Sequence, residues 1–102
     1  MSLAKTFHGE LAATSAGAML AAHTPSTGAA AYVALERVAG TLGGRTGGFV
    51  LAHLGTMTPA AQRLDVLIVP GSGTDGLAGI AGTLAIRIEG AAHHYVLDYE
   101  LA

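Results

Sequence analysis

The chain reads as a small all-β domain, an antiparallel meander β-barrel of seven to eight strands. Three observations point there. Apolar and polar residues alternate with a period of two along several runs, as in half-buried strands. Fifteen glycines punctuate those runs at regular intervals. Short segments rich in Gly, Pro, Ser and Thr separate one run from the next. At 102 residues the chain has the size of a single domain, spanning 1–102.

The elements follow in chain order. Residues 3–12 and 17–24 read as two strands, and Pro25-Ser26-Thr27-Gly28 is turn chemistry. Residues 29–41 and 46–57 read as two long strands around Leu42-Gly43-Gly44-Arg45. A Gly-Gly pair suits a two-residue type I′ turn, whose central residues both need positive φ. Residues 64–69 form a compact β-branched run closed by Pro70 and a glycine-rich turn. Leu84, Ile86 and Ile88 alternate with polar or small residues over 83–89, and Tyr95, Leu97, Tyr99 and Leu101 do so at the end. The segment 90–92 is expected to join these last two as a hairpin. The alanine-rich stretches around Ala12 and Ala29 have helix propensity, but their flanking glycines and short length argue for strands. A run of consecutive hairpins either closes or exposes its edges, and closure is the better solution in water.

Composition narrows the function classes. Charged residues make up 12% of the chain, about half the usual share, and hydrophobic residues 51%. The net charge is −2, and Lys5, Arg37, Arg45, Arg63 and Arg87 are spread singly. No basic patch is available for nucleic acid. With no cysteine there is no disulfide, thiolate zinc site or cysteine nucleophile. His93 and His94 are adjacent, so in a strand they face opposite ways and do not share a metal. No apolar stretch approaches the ~20 residues that span a bilayer, and no secretory leader is visible. A cytoplasmic location without membrane contact is expected.

The double-glycine turn sets a register by counting outwards. Glu36 falls opposite Leu51, and Ala34 opposite His53. Cross-strand neighbours share a face. Tyr32, Glu36, Phe49, Leu51 and His53 therefore point to one side, and Val33, Leu35, Arg37, Val50, Ala52 and Leu54 to the other. Both faces are largely apolar. One is expected to fill the interior and the other to meet a second copy, so a homo-oligomer is expected, most simply a dimer. Glu36 and His53 are diagonal neighbours on the inner face with Tyr32. A carboxylate there is costly unless paired, and desolvation is expected to raise its pKa, which suits it to give or take a proton. This is the expected acid–base pair, with Tyr32 as hydroxyl donor; the structural alternative is a buried pair that fixes register.

Gly71-Ser72-Gly73-Thr74-Asp75-Gly76 matches the dinucleotide fingerprint GxGxxG. That fingerprint needs a helix directly after the loop to present its N-terminus to the pyrophosphate. Gly79 and Gly82 interrupt any such helix, so a tight turn is expected and no cofactor is implied.

Two segments carry a family resemblance. One is Leu35-Glu36-Arg37-Val38-Ala39-Gly40-Thr41-Leu42-Gly43-Gly44-Arg45, continuing through Phe49-Val50-Leu51-Ala52-His53. The other is Val69-Pro70-Gly71-Ser72-Gly73-Thr74, then Leu77-Ala78-Gly79-Ile80-Ala81-Gly82 and the closing Tyr95-Val96-Leu97-Asp98-Tyr99. Together they resemble the bacterial domain-of-unknown-function family 3224, which is similar in fold to the allene oxide cyclase-like barrels. The resemblance implies an eight-stranded meander barrel and no assigned activity. It also implies one further strand ahead of Ala4, so that seven strands must close the gap or a partner chain must cover it. Asp75 stands where that family commonly has glycine.

The leading functional reading is a non-enzymatic barrel that binds a small, mostly apolar ligand in its mouth or interior. Tyr32, Glu36, Phe49, Leu51 and His53 are its expected ligand-binding residues. The alternative is a cofactor-free isomerase or cyclase using Glu36 and His53, by analogy with the allene oxide cyclase-like fold. A third reading is a purely structural oligomer.

Overall fold

The computed structural model describes the backbone of residues 2–7, 11–89 and 92–101, and the side chains of 11–85 and 96–101. The described chain is all-β. Its strands are β1 (Ser2–Phe7), β2 (Leu11–Thr24), β3 (Ala29–Leu42), β4 (Arg45–Met57), β5 (Gln62–Ile68), β6 (Thr74–Asp75), β7 (Ala81–Glu89) and β8 (Ala92–Glu100). They form one antiparallel sheet in the order β1-β2-β3-β4-β5-β7-β8, with the two-residue β6 paired to β4.

The β3–β4 hairpin follows the counted register. Gly43 and Gly44 have φ of 57° and 84°, as a type I′ turn requires. Leu42 then pairs with Arg45, Glu36 with Leu51 and Ala34 with His53. Because side chains alternate, this register fixes two faces. Glu36, Val38, Phe49, Leu51 and His53 are buried on the inner one, while Val33, Leu35 and Leu54 are exposed on the outer one. The turn at 25–28 also forms, with the Thr27 and Gly28 amides donating to the Thr24 carbonyl.

The first segment differs from expectation. The predicted break at residues 13–16 does not occur, and β2 runs unbroken from Leu11 to Thr24. Ala, Ser and Gly are weak strand formers, but β2 pairs with β3 over all fourteen residues, from Leu11↔Leu42 to Thr24↔Ala29. Tertiary pairing overrides propensity here. The predicted hairpin at 90–92 includes Gly90 and Ala91, which lie outside the described residues; the pairing of Glu89 with Ala92 flanks them.

Barrel closure is corrected. The sheet is open: β1 and β8 end the strand order, each with a neighbour on one side only. Closure needs strand number, tilt and stagger to agree around a full circle. Seven strands on the main path do not complete it. The sheet is also thinly joined between β5 and β7, where Leu67↔Thr83 is the one register pair.

The core occupies one end of the inner face. Val38, Leu42, Phe49, Leu51, Val66, Ile68 and Leu84 pack there, with Leu77 and Ile80 closing over them from the loop that follows β5. That loop is held by specific hydrogen bonds. The Val50 amide donates to Ser72 Oγ at 3.0 Å, Ser72 Oγ donates to the Val69 carbonyl at 2.6 Å, and the Gly48 amide donates to Thr74 Oγ1 at 3.0 Å. Asp75, in β6, has φ of 53° and is the non-glycine residue with positive φ among the described residues. No helix follows the GxGxxG segment; residues 76–79 are turn. The loop is a plug for the core and lacks the helix terminus that a pyrophosphate would need.

Candidate functional site

Cross-strand pairing arranges the inner face of β2, β3, β4 and β5 in rows. From the open end, the first row is His23, Ala30, Met57 and Gln62, and the second is Ala21, Tyr32, Gly55 and Leu64. The third is Met19, Ala34, His53 and Val66, and the fourth Gly17, Glu36, Leu51 and Ile68. Beyond these lie Ser15, Val38 and Phe49 in the capped core. The inner face thus runs from a polar rim, across an apolar floor, to a polar group, and then into dry packing.

The first two rows and Met19 line a trough of about 610 Å³. Met19, Ala21, Tyr32, Met57 and Leu64 supply most of its wall, with His23, Gln62 and Arg63 at the rim. Met57 and Leu64 face inward by parity yet stay exposed, with no loop among the described residues covering them. Tyr32 lies flat against its cross-strand partner Gly55. A Cβ on Gly55 would sit 2.1 Å from the Tyr32 ring, so glycine is what lets the aromatic form the floor.

Glu36 is fully buried at the inner end, with 0% exposure, and His53 retains 6%. Ser15 Oγ donates to Glu36 Oε2 at 2.5 Å, and His53 Nε2 lies 2.9 Å from Glu36 Oε1. Three strands contribute one residue each: Ser15 from β2, Glu36 from β3 and His53 from β4. Both carboxylate oxygens have partners, and among the described residues no buried side-chain nitrogen or oxygen lacks one. The group is therefore tolerated inside an apolar sheet.

The five residues singled out from sequence divide. Glu36 and His53 are hydrogen-bonded to each other, and Tyr32 lines the trough. Phe49 and Leu51 lie deeper, inside the capped core. Sequence reasoning missed Ser15, Met19 and Leu64. Ser15 carries a readable signal only once β2 is taken as a single strand, which puts it on the inward parity next to the Glu36 row. No group of three or more potential metal ligands exists among the described residues.

Comparisons with known proteins bear on this site. The family model of DUF3224, described as a protein of unknown function, matches residues 1–99. A crystal structure of a protein of unknown function from that family, from Shewanella oneidensis, is 49% identical to this chain. It covers 100% of this chain and 76% of its own length is matched, with a TM-score of 0.93. No curated protein matches the chain.

Proposed function

This chain belongs to the DUF3224 family of unknown function, and we propose from its site that it binds a small, mostly apolar molecule in the trough. The observation that carries the reading is the uncovered half of the inner face. A strand pattern that buries its inward residues elsewhere leaves Met57 and Leu64 exposed there, around a concavity of about 610 Å³. Pockets for small ligands have this size, an apolar lining and a few converging polar groups. Tyr32 and the rim residues His23 and Gln62 are those polar groups.

The outward face supports a second part of the reading, that a second copy of the chain covers it. Leu20 is 75% exposed and Leu35 59%, and Val33, Leu54 and Leu67 continue the patch. These five residues expose on the order of 500 Å², at the upper end for a monomer's largest apolar patch. That is more than half of the roughly 800 Å² each partner contributes to a standard interface.

One set of measurements tests both parts. Native mass spectrometry of the purified protein is expected to show a dimer, with a small molecule retained in part of the population. Anilinonaphthalene sulfonate is expected to fluoresce on binding. Ala21→Trp, which fills the trough, should weaken that binding at least tenfold. Leu35→Ser, on the outward face, should leave it intact and give a monomer. Dye binding unchanged by Ala21→Trp would overturn the trough, and a wild-type monomer at all concentrations would overturn the dimer.

A further inference from the structure

Gly55 lies inside strand β4, and its place on the inner face leaves no room for a side chain. It is not one of the glycines with positive φ, so its backbone would accept alanine. What excludes a Cβ is the Tyr32 ring. A Cβ built there meets Tyr32 Cε1, Cζ and Cδ1 at 2.1, 2.6 and 2.8 Å. Those distances put the face of the ring over Gly55. An approach in the ring plane would hold the two flanking carbons much farther off than the nearest one. With one face on the Gly55 backbone, the ring turns its other face away from the sheet and into the trough it lines.

The register keeps the surroundings of that face low. The inner-face neighbours of Tyr32 along β3 are Ala30 and Ala34, and its partner on β2 is Ala21. Longer side chains stand one step away. Met19 pairs with Ala34 and Met57 with Ala30, so both are diagonal to Tyr32, and Leu64 stands across Gly55. All three line the trough. The result is a flat aromatic floor set among alanines, with thioether and leucine walls.

We propose that the trough takes a planar aromatic ring, stacked on the inward face of Tyr32 with its edges toward Met19 and Met57. The inference deepens the trough reading, rests on it and names the class of ligand. Buried area alone does not choose between a flat ring and a puckered one of the same size. Contact does: a flat ring meets a flat floor with all its atoms, whereas a puckered ring leaves gaps that forfeit dispersion. Offset stacking adds a gain beyond the area buried, and thioether sulfur favours ring edges. Tyr32 touches the ligand. Gly55 is a positioning residue that acts by letting the Tyr32 ring lie down.

The test titrates the protein with naphthol and with decahydronaphthol, which share a skeleton and a hydroxyl and differ in flatness and aromaticity, while NMR follows the Tyr32 ring protons. Wild-type protein is expected to bind naphthol about five- to tenfold more tightly. Naphthol should also move the Tyr32 ring protons upfield, because they would lie over the face of its rings. Tyr32→Phe should keep the preference, and Tyr32→Leu should bring the two affinities within about twofold. Gly55→Ala lifts the ring off the floor and should do the same with Tyr32 still present. A merely structural role for Gly55 would lower stability and leave the ratio alone. The wild-type measurements decide the matter even if a variant does not fold. Binding of neither compound overturns the trough reading and the ligand class with it. Equal affinities in the wild type, naphthol binding without the upfield shift, or a preference that survives Tyr32→Leu overturns this inference and leaves the trough standing.

Discussion

The two halves of the inner face obey the same alternation and end in different states. In one half Phe49 and Leu51 point inward and are buried under Leu77 and Ile80. In the other, Met57 and Leu64 point inward by the same parity and remain exposed along the trough. The Ser15–Glu36–His53 group stands at the boundary. The difference teaches that strand periodicity chooses a direction for each side chain, whereas burial depends on whether something packs over it. Here that something is one loop, pinned through Ser72 and Thr74.

Truncation on either side of the boundary gives the largest contrast. Phe49→Ala opens a cavity in the capped half and should cost about 3–5 kcal/mol of unfolding free energy. Met57→Ala removes a side chain that is already half exposed and should stay within about 0.5 kcal/mol. Urea titration reads both. Similar losses at the two positions would break the comparison, because the open half would then be packed as tightly as the core.

Ser15→Ala probes the boundary itself. It deletes one hydrogen bond to a buried carboxylate, and about 1.5–3 kcal/mol should be lost. A change below about 0.5 kcal/mol would mean that Glu36 is held without Ser15. The smallest effect belongs to the plug. Asp75 holds a left-handed backbone that costs an L-residue more than glycine. Asp75→Gly should raise the urea midpoint slightly, by less than about 1 kcal/mol of stability. A clear loss would show that the Asp75 side chain contributes more to the cap than its backbone costs.

Much of the site was legible because it sits on one tight hairpin. Gly43 and Gly44 leave no slack between β3 and β4, so counting outwards placed Glu36 beside His53 and put Tyr32 on their face. Ser15 was not legible in the same way. It reaches Glu36 from a strand whose weak formers, Ala13, Ser15, Ala16 and Gly17, resemble a break. Phe49 and Leu51 were placed on the correct face, but nothing local distinguishes a residue under a plug from one in a trough.

By itself the sequence determined the all-β class, the turn at Gly43-Gly44 and the two faces of the β3–β4 hairpin. These follow from backbone sterics and covalent connection over a few residues, which act before any distant contact forms. Only the tertiary structure decided that β2 is continuous, that Leu77 and Ile80 cover half of the inner face, and that the sheet ends at β1 and β8 instead of closing. Those outcomes depend on which distant surfaces meet. Loop closure across many residues is weakly constrained by local chemistry, and packing settles it.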